Sequence, residues 1–445
     1  MSSNNQSRHD RTELALAEER CFLVGAEIPG RYQAGEEPLS ELAELIDTAG
    51  GEVVGTLTQK IDRPTTRYYL GKGKFYDLVD AAIAAQAETI VVDDDITPAQ
   101  LSTIEEAARM KVIDRSEVIL DIFRHRARSL PAQLQVELAQ LQYELPRLAR
   151  KWTHLERVSG GIGTGVGSSR GGGEAQIEVD RRLVRKRISR LQQELTVINE
   201  RRNREVEARA RVFKVCLVGY TNAGKSSLQN RLTGGEEAFV ENRLFATLDT
   251  LTRQMTFVTA ENKTRAPIAL LSDTVGFIRR LPHHLVASFH ATLAEAAQAD
   301  LLLIVLDSAD PRALLQTQAV RETLADIGMA ERESLYVFNK IDLPRDEATL
   351  ARLRENLTPA VEVSAQTGAG IDALRELIYR RVIARQNRVT LRFSSGDGRR
   401  LALINQFGAD PQIAYDGDDL VAEVTLAAAD LERLKRLPGE MAINN

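Results

Sequence analysis

The residues whose types and spacing could do chemistry are concentrated at 219–227, between the apolar run VFKVCLV and a helical run. A glycine, four further residues and then Gly-Lys-Ser is typical of a phosphate-binding loop in this context. Its backbone N–H groups surround phosphate oxygens, and the helix N-terminus adds attraction for negative charge. We expect Lys225 to reach the β- and γ-phosphates and Ser226 Oγ to bind Mg²⁺. The predicted contacts are Gly219, Tyr220, Thr221, Asn222, Ala223, Gly224, Lys225, Ser226 and Ser227.

Two later strand ends carry residues that could select a guanine base. In Asn339-Lys340-Ile341-Asp342, the Asp342 carboxylate can accept hydrogen bonds from guanine N1–H and N2–H₂, a pair that adenine does not offer. Asn339 is expected to tie this loop to the phosphate loop, and Ser364-Ala365 to present a backbone N–H to guanine O6. The order and spacing of these motifs predict a protein that binds GTP and GDP and hydrolyses GTP.

The remaining catalytic groups are expected between the phosphate loop and the next buried strands. Asp273 should hold Mg²⁺ through its water shell, and the Gly276 N–H should meet the γ-phosphate. A threonine is expected to contact both Mg²⁺ and the γ-phosphate; Thr247 is the first choice and Thr250 the second. The predicted catalytic set is Lys225, Thr247 and Gly276.

Two positions bear on how hydrolysis is activated. Phe277 stands where many small GTPases have a water-orienting glutamine, so we expect slow hydrolysis that rises when a partner or ion completes the site. The Asn222 amide oxygen could bind K⁺ beside the phosphates; the alternative is that Asn222 only stabilises its loop.

The elements that must position these residues alternate between strand and helix over 212–386, which predicts an α/β P-loop GTPase domain with a mostly parallel sheet. A small α/β domain is expected over 21–120, after a disordered stretch at 1–20; its predicted strands include KVIDRSEVI. A small α+β domain is expected over 387–445, with RVTLRFS, RLALIN and DLVAEVTL as strands before a short helix.

Residues 121–211 predict a basic arm of two helices, an antiparallel coiled-coil pair. Apolar residues recur at heptad spacing from Leu134 to Leu155 and from Val184 to Ile198, and Pro146 should disturb the first helix. Residues 181–211 contain eleven Lys or Arg and only four Glu. This positive charge could be an ordinary solvated helix face or a surface that binds a phosphate-rich partner. A glycine-rich loop at 159–173 would form the tip.

Composition narrows the class of protein. A net charge of −5 argues against a uniformly basic nucleic-acid binder, and two distant cysteines indicate no disulfide framework. No run has the length and apolarity of a membrane span or signal peptide, so we expect a cytoplasmic protein, with ribosome or membrane association left open. We also expect a monomer.

With arm, tip and nucleotide motifs together, the sequence resembles the HflX family of ribosome-associated GTPases over about residues 21–386. The resemblance is carried by YYLGKGKFYDL, RSEVILDIFRHRARS, LQVELAQLQYELPRL, GGIGT…RGGGE, EVDRR, GYTNAGKSSL, LFATLDTLTR and DTVGFIRRLPHHLV. It implies a factor that binds the large ribosomal subunit and its rRNA, places the tip near the peptidyl-transferase region, and splits or rescues stalled ribosomes. The implied rRNA-contacting tip residues are Gly160, Gly161, Gly163, Arg170, Gly171 and Gly173.

Three points stay open at this stage. A large-subunit assembly checkpoint, or a GTP-switched scaffold binding a partner through its heptad arm, would carry the same nucleotide motifs. The tip departs from the family pattern through the added GVGSS and through Gly172 in place of proline. LGKGK at 70–74 is interpreted as a basic rRNA-contacting loop, because it is too short for a phosphate loop that would bind ATP.

Overall fold

The computed structural model describes residues 16, 18–32, 37–148, 171–208, 212–234, 245, 251–257, 268–279, 297–385, 387–426 and 428–444. The chain divides into two compact units. The first contains residues 1–198, 242–248 and 280–290, and the second contains the rest. None of the helices in the described ranges is long and apolar enough to cross a membrane.

The first unit is built on four parallel strands in the order β2-β1-β3-β4. Helices and strands alternate along the chain: β1 Arg20–Glu27, α1 Ser40–Ala49, β2 Glu52–Lys60, α2 Lys72–Ala84, β3 Thr89–Val92, α3 Pro98–Ala108, β4 Lys111–Asp114 and α4 Arg115–Arg126. Every residue of β3 is buried, as expected for a parallel strand covered on both faces. The predicted small α/β domain is therefore present.

One predicted strand in this unit is too long. The run KVIDRSEVI was expected to be a strand throughout, but β4 ends at Asp114 and α4 begins at Arg115. The Asp114 carboxylate accepts a hydrogen bond from the Glu117 N–H, which caps the helix and ends the strand. Asp114 also accepts hydrogen bonds from Tyr143 Oη at 2.8 Å and Arg147 Nη2 at 3.0 Å.

The two predicted apolar seams meet. Helix α5, Leu130–Glu144, and helix α6, Gly171–Ala208, share a buried cluster of Leu134, Leu138, Leu191 and Leu195. Helix α5 ends at Glu144 and is followed by a short 3₁₀ helix, Leu145–Arg147, which contains Pro146, the residue predicted to disturb the helix. Of the predicted tip, Gly171 and Gly173 lie in the first turn of α6 rather than in a loop, whereas Gly160, Gly161, Gly163 and Arg170 lie outside the described residues.

The second unit contains a six-stranded sheet in the order β10-β9-β8-β5-β7-β6, in which only β6 is antiparallel. Its elements are β5 Phe213–Gly219, α7 Lys225–Thr233, β6 Leu251–Thr256, β7 Ile268–Asp273, β8 Leu301–Asp307, α8 Ala313–Asp326, β9 Ser334–Asn339, α9 Glu347–Asn356, β10 Ala360–Glu362 and α10 Ile371–Ala384. Strands β5, β7, β8, β9 and β10 run parallel, so their carboxyl ends lie at one edge. The mostly parallel sheet predicted for this region is confirmed.

The last elements form an antiparallel sheet in the order β12-β13-β11-β14. They are β11 Asn387–Ser394, α11 Gly398–Phe407, β12 Ala409–Asp416, β13 Asp419–Leu426, α12 Ala428–Lys435 and β14 Met441–Asn444. The prediction of a strand at RLALIN was wrong, because this run lies within α11. Asp397 caps the helix by accepting from the Arg400 N–H, and Arg400 and Ile404 are buried one turn apart.

Candidate nucleotide site

The loop between β5 and α7 depends on its two glycines. Gly219 and Gly224 have φ of 154° and 88°, which side-chain-bearing residues rarely adopt. A Cβ at Gly219 would clash with the Val305 carbonyl, and one at Gly224 with the Asn339 side-chain amide. Strand, glycine turn and helix therefore take the arrangement that the sequence predicts for binding phosphate.

The Lys225 side chain is folded into this loop. Its Nζ donates to the Gly219 carbonyl at 3.1 Å and to the Tyr220 carbonyl at 2.8 Å, and the residue is 6% exposed. Burial lowers the pKa of Lys225 to about 8, and the nearby Asp273 charge opposes that shift. The amine is thus held where phosphate oxygens could replace the solvation it has lost.

The two residues predicted to serve Mg²⁺ lie together. Ser226 Oγ donates to Asp273 Oδ2 at 2.6 Å. Asp273 ends β7, is 1% exposed, and lies beside Leu217 of β5. A hydroxyl and a carboxylate in contact form an all-oxygen donor set, which suits a partly hydrated Mg²⁺. The predicted third partner, Thr247, and the alternative Thr250 lie outside the described residues.

The segment after Asp273 is joined to the phosphate loop by backbone hydrogen bonds. Phe277 N–H donates to the Gly219 carbonyl at 3.0 Å, and Thr221 N–H donates to the Phe277 carbonyl at 2.8 Å. Arg279 N–H donates to Tyr220 Oη at 3.0 Å. Phe277 is 3% exposed, so its ring serves packing while its backbone holds the two segments together. We refer to this set of contacts as the Tyr220–Phe277 clasp.

The clasp sets Gly276 tightly against the loop. A Cβ at Gly276 would lie 2.7 Å from Thr221 Cγ2 and 3.1 Å from Lys225 Nζ. Only glycine fits this approach, which brings the Gly276 backbone close to the lysine amine. The contact of Gly276 with the γ-phosphate stays a prediction, which this closeness to Lys225 favours.

Asn339 joins the two halves of the site. Its Nδ2 donates to the Ala223 carbonyl at 2.9 Å, and its Oδ1 accepts from the Ala365 N–H at 3.0 Å. One buried amide therefore fixes both the phosphate loop and the loop after β10. Because Ala365 N–H donates to Asn339 and Ser364 N–H donates to the Ala369 carbonyl, a bond to guanine O6 would have to share or replace one of these.

The other base-side residues follow β9 directly. Lys340 has a φ of 64°, and its Nζ forms an ion pair with Asp307 at 2.7 Å. Asp342 lies two residues further on and is exposed. Asn222, the residue considered for K⁺, is also exposed and has a φ of 60°, which asparagine tolerates better than most side chains.

Sequence reasoning missed Arg231, which supports the base-side loop. Its Nε donates to the Ala365 carbonyl at 3.1 Å, and its Nη2 donates to the Gln366 carbonyl. The sequence places Arg231 in the last turn of α7, where cations are common and usually solvated, so it does not indicate this role. The arrangement as a whole offers a buried lysine amine, a hydroxyl and a carboxylate for a cation, a glycine-dependent loop and an exposed carboxylate after β9.

Comparison with known proteins agrees with this site. Family models match residues 36–124 as "GTP-binding GTPase N-terminal", 126–209 as "GTP-binding GTPase Middle Region" and 214–340 as "50S ribosome-binding GTPase". Among solved structures, a GTP-binding protein from Sulfolobus solfataricus in complex with GDP aligns over 82% of this chain and 99% of its own, with 23% identity and a TM-score of 0.40. That likeness is too distant to support an argument about this chain.

Curated relatives are closer. GTPase HflX of Caldanaerobacter subterraneus is 40% identical over 93% of this chain and 92% of its own length. GTPase HflX of Escherichia coli strain K12 is 40% identical over 91% of this chain and 96% of its own. The resemblance predicted from the motifs is thereby confirmed over nearly the whole sequence: the chain is a GTPase and belongs to the HflX family.

Proposed function

We propose that this chain binds the large ribosomal subunit in its GTP form and splits or rescues stalled ribosomes. The observation that carries the proposal is the combination of a guanine-nucleotide site with a basic helix on the arm. The family model that matches residues 214–340 describes a 50S ribosome-binding GTPase, which supports a ribosomal partner.

In this proposal, Lys225 and backbone N–H groups of the phosphate loop other than that of Thr221, which donates to the Phe277 carbonyl, hold the phosphates. Ser226 and Asp273 would hold Mg²⁺, which when bound neutralises phosphate charge, and the exposed Asn222 would hold K⁺. Asp342 would accept from the guanine base, while Asn339 keeps the base loop aligned with the phosphate loop. The contacts of Ser226 with Asp273 and of Asn339 with the phosphate loop support the assignment of these roles to one site.

The basic face of α6 is the surface proposed for rRNA. Several of its cations are already paired, including Arg187 with Glu137 at 2.7 Å and Arg190 with Glu194 at 2.9 Å. Arg182 and Lys186 are exposed and form no ion pair with the described residues. These two cations are therefore free to contact phosphates, in a chain whose overall charge is negative.

Coupling of GTP to the arm is supported by Phe245. This residue lies within the predicted GTPase domain, two positions before Thr247, yet it belongs to the first unit. Its ring, 2% exposed, meets Phe123 of α4 edge-on, with ring centroids 4.7 Å apart. In this proposal, ordering of Thr247 by Mg²⁺ and the γ-phosphate would act on the segment that contains Phe245.

The test combines GTP turnover with light scattering of intact ribosomes, in K⁺ buffer with Mg²⁺. We expect large subunits to stimulate turnover about tenfold or more, and scattering to fall with GTP but not with GDP. Stimulation without a fall in scattering would favour an assembly checkpoint, and no stimulation would reject the ribosomal role.

The arm is tested with Arg182→Gln plus Lys186→Gln, using Arg190→Gln as the paired-cation control. Removing two phosphate contacts should reduce the slope of log affinity against log salt by about 1.5 to 2 units. Arg190→Gln should change that slope much less. Equal slopes in the double variant and the parent would remove these cations from the rRNA surface; a salt-insensitive parent would favour the scaffold alternative.

A further inference from the structure

Thr221 presents a feature that packing within the loop does not explain. Its side chain is 6% exposed, and Oγ1 has no hydrogen-bond partner among the described residues. A buried hydroxyl left without a partner has lost its hydrogen bonds to water with no replacement, which destabilises the folded protein. Buried polar groups in native proteins are rarely left in this state unless a ligand or water completes them.

The surroundings of Thr221 indicate where the missing partner lies. The Thr221 backbone is fixed by donation to the Phe277 carbonyl at 2.8 Å. Its Cγ2 lies against Gly276, and a Cβ on that same glycine would come within 3.1 Å of Lys225 Nζ. Thr221, Gly276 and the lysine amine therefore share one small volume, the one in which a γ-phosphoryl group would contact Lys225.

We propose that Thr221 Oγ1 donates a hydrogen bond to the γ-phosphoryl group and acts as a catalytic residue in GTP hydrolysis. The inference rests on the proposed nucleotide site but not on the ribosomal role. In this proposal, a side chain of the phosphate loop stabilises the transition state of GTP hydrolysis, which the apolar ring of Phe277 cannot do.

The chemistry requires one donor at the place where charge is redistributed. Water forms a bond to the γ-phosphorus, and the bond from that phosphorus to the bridging oxygen breaks, with its electron pair going to GDP. The protons of the water end on inorganic phosphate and solvent. A hydroxyl fixed beside the γ-oxygens stabilises charge there without moving during the step, which is where preorganised donors contribute most.

Threonine suits this position better than serine or valine would. Its methyl group packs on Gly276, and β-branching restricts χ1, so the hydroxyl is held without a second hydrogen bond. Serine would keep the donor with more rotational freedom. Valine would keep the shape and lose the donor, so the three residues separate donation from packing.

The experiment measures kcat and KM for GTP and the affinity for GDP in Thr221→Val and Thr221→Ser. The expected result for Thr221→Val is a fall in kcat of about tenfold or more, with GDP affinity unchanged within about twofold because GDP lacks the γ-phosphate. Thr221→Ser should retain most of kcat. Thr317→Val is the matched control, because Thr317 is also buried but its Oγ1 already donates to the Ala313 carbonyl in α8.

The possible outcomes are distinct. A normal kcat in Thr221→Val would overturn the proposal. An equal loss of kcat in the valine and serine variants, or a parallel loss of GDP affinity, would show that Thr221 only packs the loop and would also overturn it. If the unaltered protein failed to bind GDP, the nucleotide site itself would be wrong, which separates the two failures.

Discussion

Lys225 makes nucleotide binding depend on pH in a way that can be calculated. The residue is 6% exposed, and burial lowers its pKa to about 8. Phosphates favour the ammonium form, so binding to the neutral form must take up a proton. The free protein carries this charge in about nine molecules of ten at pH 7 and in about one of ten at pH 9. Affinity for GDP should therefore fall about tenfold over that interval, about 1.4 kcal/mol.

The assay is equilibrium binding of a fluorescent GDP at fixed Mg²⁺, K⁺ and ionic strength across this pH range. Titration calorimetry in buffers of different ionisation enthalpy would count the proton taken up. Lys225→Met is the control, because its weaker binding should lose this pH dependence. A constant affinity in the unaltered protein would show that the amine stays charged throughout, and an unchanged slope in Lys225→Met would assign the effect to another group.

Two further predictions concern carboxylates, Asp342 in the second unit and Asp114 in the first. Asp342→Asn should lower the preference for guanine and favour xanthine nucleotides, because the amide cannot accept both base N–H groups; competition binding would show it, and unchanged selectivity would refute the assignment. Burial raises the pKa of Asp114 to about 6 despite Arg147, so the folded first unit holds this proton more tightly than the unfolded chain. Its unfolding free energy should rise by about 3 kcal/mol as pH falls from above 6 to below 4. Hydrogen exchange of β4 amides, corrected for intrinsic rates, should show this rise in the parent and not in Asp114→Asn.

Much of the nucleotide site could be predicted because local sequence dictates it. Gly219 and Gly224 are required by backbone conformation, and parallel strands bring the loop after β5, Asp273 and Asn339 to one edge of the sheet. The seam of the arm was predictable for a similar reason, since heptad spacing leaves one face of each helix to bury.

Other features depend on tertiary contacts that no local pattern carries. The run RLALIN is apolar at consecutive positions, so its periodicity does not separate a strand from a buried helix. Its helical state is set by the Asp397 cap and the burial of Arg400. The sequence shows only that Phe277 occupies a position where many small GTPases have glutamine. Its hydrogen bonds to Gly219 and Thr221, which are distant in sequence, appear only in the fold.

The placement of Phe245 has a practical consequence for dissecting this chain. A fragment containing only the predicted GTPase domain, 212–386, would include Phe245 but not Phe123, its ring partner. Burying a phenylalanine side chain is worth about 1.5–3 kcal/mol relative to leaving it exposed. That surface would be exposed two residues before Thr247, the threonine predicted to contact Mg²⁺ and the γ-phosphate. We therefore expect the turnover of such a fragment to differ from that of the whole chain.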